Sequence, residues 1–223
     1  MRNACLYFLL LLFVSSSVFS QTQTTSNYDQ HIAFDPLFYP SNGNEYRSAS
    51  GEPGPAYWQN RADYKITATL DTAQHRVTGT VIITYKNNSP DNLKFLWLQL
   101  DQNIYRQDSR GEATTVLTGG RWANHAFTKG DELKSVEVIS NGTSTKAKYI
   151  VSDTRMQVWL PKTLPAKTGT VQLKIDYAFD VPEYGTDRMA RINTQNGWIY
   201  EIAQWYPRMC VYDDVLGWNT LPY

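Results

Sequence analysis

From Tyr57 onward the apolar residues of this chain recur at every second position. Tyr64, Ile66, Ala68 and Leu70 alternate with Lys65, Thr67 and Thr69. After a polar break at 71–76, Val77, Gly79, Val81, Ile83 and Tyr85 resume the alternation. Side chains along a strand point to opposite faces in turn, so this period places one apolar row on one face of a sheet. Leu93 to Leu100 is apolar on both phases, as expected of a strand covered on both faces. Further strands are predicted at Leu133–Ile139, Lys146–Val151, Met156–Leu160 and Val171–Phe179. Turns are predicted at Asn87–Asp91 and at Asn141-Gly142. Helical periodicity is hard to find. Short strands separated by turn clusters predict an all-β fold, a β-sandwich or a large twisted sheet.

The N-terminus carries a different signal. Arg2 is followed by the apolar run Leu6 to Val14 and then by small residues, with Val18 and Ser20 suitably placed for cleavage before Gln21. This is the pattern of a secretory signal peptide over 1–20. An extended leader is expected over 21–56, with an aromatic patch at Phe34–Pro40. A β-rich domain is expected over 57–223, its C-terminal edge incomplete because the chain breaks off in a strand-like pattern. The expectation is an exported protein, periplasmic or extracellular, with no membrane span after cleavage. Cys210 is then the only cysteine, which excludes an intrachain disulfide. Lys plus Arg and Asp plus Glu are 21 each, with no basic cluster, so nucleic acid is not an expected partner.

Several chemistries lack their residues. His31, His75 and His125 are widely scattered, Cys210 has no CxxC partner, and there is no HExxH pair. No GxSxG elbow, P-loop or GxGxxG occurs. No catalytic residue and no metal ligand is therefore assigned, and no cofactor is expected in this chain.

The aromatic density of 195–223 is the more informative feature, because such mixtures are built around sites or interfaces. If 198–206 is one strand, Trp198, Tyr200, Ile202, Gln204 and Tyr206 share a face, with Glu201 and Trp205 on the other. A Gln on an aromatic and apolar face needs a partner. Neighbouring backbone and a ligand's amine or carbonyl are both open to it. Asp213-Asp214 is expected to accept backbone N–H bonds in a turn. Asn87-Asn88-Ser89 and Asn141-Gly142-Thr143 match the glycosylation pattern but are equally explained as turns.

Taken in order, these segments resemble the N-terminal domain of the zinc aminopeptidase family that includes aminopeptidase N and leukotriene-type epoxide hydrolases. The carriers are Ala62–Asp71, Val77–Ile83, Leu96–Leu100, Leu160-Pro161 through Gly169 with Val171–Tyr177, and Gln204–Asp214. The form of the last, with Gly217–Thr220, resembles exported bacterial members. The resemblance spans roughly Tyr57 to Tyr223. It implies a twisted, saddle-shaped, β-sandwich-like domain that packs on a catalytic domain of the same polypeptide and helps anchor the free α-amine of a peptide substrate. Gln204 is the position that matches the anchoring role, with Glu201 second. The family's GxMEN and HExxH motifs have no counterpart here, so zinc is expected only in a full-length enzyme and this chain alone is expected to be inactive.

Two other readings remain. A free-standing secreted β-sandwich would bind carbohydrate through Trp122, Trp198, Trp205 and Trp218. A small glycosidase would pair Glu201 with Asp213 or Asp214.

Overall fold

The computed structural model describes residues 43–114, 126–140, 142–186 and 188–222. Leader residues 21–42, His31 among them, and also Trp122, His125 and Asn141 lie outside the described residues. The described chain is all-β, with β1 (Arg61–Asp71), β2 (Arg76–Lys86), β3 (Leu93–Gln99), β4 (Glu132–Ser140), β5 (Thr143–Lys146), β6 (Lys148–Ser152), β7 (Arg155–Leu164) and β8 (Thr170–Asp180) forming its body. A 3-10 turn at Asp101–Tyr105 and a short helix at Arg110–Thr114 follow β3.

Two antiparallel sheets share one core. The five-stranded sheet runs β1-β2-β8-β4-β5 and the four-stranded sheet runs β12-β3-β7-β6, where β12 is Arg208–Met209. The sequence alternation is what the first sheet uses. Tyr64, Ile66, Ala68 and Leu70 of β1 lie opposite Ile83, Val81, Gly79 and Val77 of β2. Residues directly opposite in an antiparallel pair share a face, so one register places both rows on the same side. Val77, Val81 and Ile83 of β2 are buried there, whereas of the four on the edge strand β1 only Ile66 is half-buried and Tyr64, Ala68 and Leu70 remain exposed. Val81, Ile83, Leu173, Ile175 and Phe179 meet Leu96, Leu98, Met156 and Val158 of the other sheet, all with essentially no exposed surface.

Gly79 has a steric reason to be glycine. It sits opposite Tyr177, and a Cβ added there would lie 2.7 Å from the tyrosine ring. The ring occupies the space that a side chain on β2 would fill.

The expected strand at Lys146–Val151 is divided. β5 belongs to the first sheet and β6 to the second, and Ala147 between them is buried with its N–H bonded to Val136 carbonyl. Alternation cannot reveal such a switch, because both halves keep the same period. The predicted turn at 87–91 is also buried at its start. Asn87 is fully buried and its amide donates to the carbonyls of Asp91 and Pro165. That burial removes Asn87 from consideration as a glycan acceptor.

Beyond β8 the chain forms β9 (Tyr184–Thr186), β10 (Met189–Thr194) and β11 (Gly197–Ile202), a small antiparallel sheet of its own in the order β11-β10-β9. β13 (Tyr212–Asp213) and β14 (Gly217–Trp218) make a final hairpin. Arg47 is bonded through Nε and Nη2 to both carboxylate oxygens of Asp214, at 2.8 and 2.7 Å, which ties residues near 47 to this hairpin.

Candidate functional site

The aromatic C-terminal region is assembled differently from one continuous strand. β11 ends at Ile202, and Gln204 lies beyond it with φ at 46°. The shared face expected for 198–206 therefore holds only for Trp198, Tyr200 and Ile202, and Gln204 leaves it through a left-handed turn. A left-handed φ is unfavourable for a residue with a side chain, so the surroundings must hold it. They do: the buried amide of Gln102 donates to the carbonyls of Ala203 and Gln204 at 3.1 and 2.9 Å. The N–H of Ala203 bonds Arg188 carbonyl at 3.0 Å. The half-buried Gln204 side chain itself makes no hydrogen bond among the described residues.

Glu201 sits opposite Ala190 on the outward face of β10–β11, beside the cross-strand pair Ile192 and Ile199. It is exposed and makes no ion pair among the described residues. Gln204 and Glu201 are thus close in sequence but are not brought onto one face by the strand.

Behind Gln204 lies a buried polar group that the sequence did not single out. Asp101, 1% exposed, accepts two bonds from Arg208, at 2.6 Å from Nε and 3.0 Å from Nη2. Burial nevertheless holds its carboxyl above the usual range, with Arg208 acting in the opposite direction. The N–H of Asp131 bonds Asn103 Oδ1 at 2.9 Å, while its carboxyl carries a buried Oδ1 with no partner among the described residues. Burial first, and the nearby Asp101 charge second, push the Asp131 carboxyl up to about 7. The one hint in sequence is the run Asp101-Gln102-Asn103 directly after an apolar strand. Its burial depends on distant segments, among them Asp131, Asp153 and residues 203–208.

A second cluster joins His75 to β11. His75 Nδ1 and Tyr200 hydroxyl are 2.6 Å apart, and the His75 ring meets Trp198 edge-on at 4.4 Å. The guanidinium of Arg191 lies 5.5 Å over Trp198. Trp198 is 36% exposed, whereas Trp205 and Trp218 pack against the core. Trp218 stacks on Tyr85 at 6.1 Å, so one of its faces is taken. Asp213 Oδ1 accepts from the N–H groups of Val215 and Leu216, and Asp214 is held by Arg47, so both carboxylates have structural partners.

Among the described residues no three His, Cys, Asp or Glu side chains come together as a metal site. None of these residues therefore fits a zinc ion. Among them, too, no helix is long and apolar enough to cross a membrane.

No family model and no curated protein matches this chain. Among solved structures, a crystal structure of a two-domain M1 zinc metallopeptidase variant bound to L-tryptophan is similar at 13% identity and a TM-score of 0.36. The match covers 59% of this chain and 23% of that one, so this chain spans about a quarter of its length.

Proposed function

We propose that this chain is a non-catalytic N-terminal β-domain of an exported zinc-dependent aminopeptidase, packing on a catalytic domain of the same polypeptide and helping to anchor the α-amine of a peptide. The carrying observation is Gln204, whose backbone is held by Gln102 in a strained conformation while its amide makes no hydrogen bond among the described residues. Strain kept in place by a buried partner is a mark of functional positions. An amide oxygen accepts from an ammonium group, and a hydrogen bond to a charged group contributes about 1.5–3 kcal/mol. The exposed carboxylate of Glu201, without an ion pair among the described residues, adds negative charge that attracts the same cation. The ordered series of sequence segments supports the family assignment.

Since the described residues do not fit zinc, no hydrolytic step is assigned to them. Their contribution is to bind and orient.

The test is to express the product of the complete reading frame and assay alanyl-4-nitroanilide beside its N-succinylated form. The expected result is chelator-sensitive hydrolysis of the free amine only. Gln204→Ala should raise KM about tenfold, close to 1.4 kcal/mol, with a smaller change in kcat. Absence of hydrolysis sinks the family reading, and an unchanged KM removes Gln204 from the anchoring role.

The carbohydrate-binding reading has less support. Trp198 is the more open of its described tryptophans, and its ring already meets His75 and Arg191.

A further inference from the structure

At the end of the sandwich, β7 departs from its partner. Phe95 of β3 is opposite Trp159 and Leu93 is opposite Leu164, so Leu160 to Thr163 have only Lys94 across from them. β6 ends its pairing with β7 at Trp159 as well. This wide irregularity carries Leu160 to Thr163 away from the ladder, beside a cleft of about 620 Å³ between β7 and the β4–β5 hairpin.

The lining has a defined chemistry. Val138, Leu160, Leu164 and Val171 form an apolar floor. Ser140, Thr143, Thr163 and Thr170 stand on the walls, and none of their hydroxyls makes a hydrogen bond among the described residues. Among the described residues, Lys162 is the only charged one of the lining, and it makes no ion pair with any of them. Neither an aromatic ring nor a carboxylate among the described residues lines the cleft. The first absence argues against stacking of sugars or bases, and the second against a cationic ligand. The volume lies within the usual range of small-molecule sites, and an apolar body with a few placed polar groups is their usual composition.

We propose that this cleft binds an amphipathic monoanion, an aliphatic chain ending in a carboxylate. The chain lies along Val138, Leu160, Leu164 and Val171, and the carboxylate meets Lys162 and the wall hydroxyls. None of these residues belongs to the Gln204 region, so the proposal stands or falls independently of the peptidase reading.

The probe is decanoate, titrated calorimetrically into the full chain below its micelle concentration, beside decyltrimethylammonium as the cation with the same tail. Decanoate should bind at one saturable site and the cation should not. Lys162→Glu should weaken decanoate about tenfold and Lys162→Gln about threefold, as the loss of one partly exposed charge predicts. Thr145→Trp and Thr170→Trp, both on the open rim, should abolish binding by filling the cleft, with the urea midpoint of each checking that it folds. If one of them does not fold, the other and the Lys162 pair decide. No saturable binding, equal binding of the cation, or binding indifferent to the folded rim and Lys162 variants would each overturn the proposal.

Discussion

Asp131 shows how a single buried carboxyl links packing to pH. Its folded-state pKa is raised to about 7 by burial and by Asp101, a hydrogen bond with the Gln102 backbone offsetting only part of this. An unfolded aspartate titrates near 3.9, so between about pH 4 and pH 7 the folded state holds a proton that the unfolded state has lost. Its contribution to stability is therefore complete below about pH 4 and is lost as pH rises towards 7. Asp131→Asn should remove this slope, making the variant more stable relative to wild type at pH 8 than at pH 4.5, by on the order of 1–3 kcal/mol. Urea unfolding at both values reads the difference directly. A difference that is flat with pH would mean that Asp131 is ionised in the folded state. Gln204 allows a second separation at this scale. Gln204→Gly relieves the left-handed strain, so it should leave the fold as stable or more stable by up to about 1 kcal/mol. Loss of peptide affinity in that variant would then be loss of the amide and not of the fold. Thermal unfolding beside the KM measurement distinguishes the two.

Among the elements, the β2–β8 pair is long and regular. Eleven residue pairs run from Arg76↔Asp180 to Lys86↔Thr170 without a shift in register. Within it, Gly79 and Tyr177 act as one unit, since the ring needs the space above the glycine. Gly79→Ala should cost about 1–3 kcal/mol by overpacking. The cost should shrink in a Tyr177→Leu background, and a double-mutant cycle from urea unfolding measures the coupling. Additive costs would show that the ring moves aside freely. The strands and their inward faces were legible from alternation over β1, β2 and β8, whereas their pairing and register come from the tertiary structure. β11 was less legible. Its alternation appears to the eye to continue to Tyr206, yet Ile202 ends it, because bonds from Gln102 and Arg188 take the next carbonyls and N–H away from any ladder.

Across the whole molecule, the apolar surface is unevenly covered. Ile192 and Ile199, a direct cross-strand pair, are 61% and 59% exposed. Val215, Leu216 and Leu221 near the C-terminal hairpin are exposed as well. Patches of this kind mark association surfaces, in keeping with the proposed packing on a catalytic domain. The chain by itself should self-associate at micromolar concentration, and Ile192→Thr with Ile199→Thr should shift it towards monomer in sedimentation velocity. A monodisperse wild-type chain would argue against that surface. Cys210 contributes nothing to association: it is buried, and burial pushes its thiol up to about 12, which leaves it protonated and unreactive in the folded state.

What the sequence determined by itself is the class of fold and most of its strands, since a period of two is a local property that any single strand displays. It also singled out Gln204 and Glu201, although their roles rest on resemblance and await the kinetic test. Tertiary structure alone decided that Ala147 passes the chain between sheets, that Asp101, Gln102 and Asn103 are buried together, and that four residues of β7 leave their ladder beside a cleft. Each of these depends on which distant segment arrives to cover a polar group or to withhold a partner. A sequence pattern records only the side chain, and not the neighbour that satisfies it.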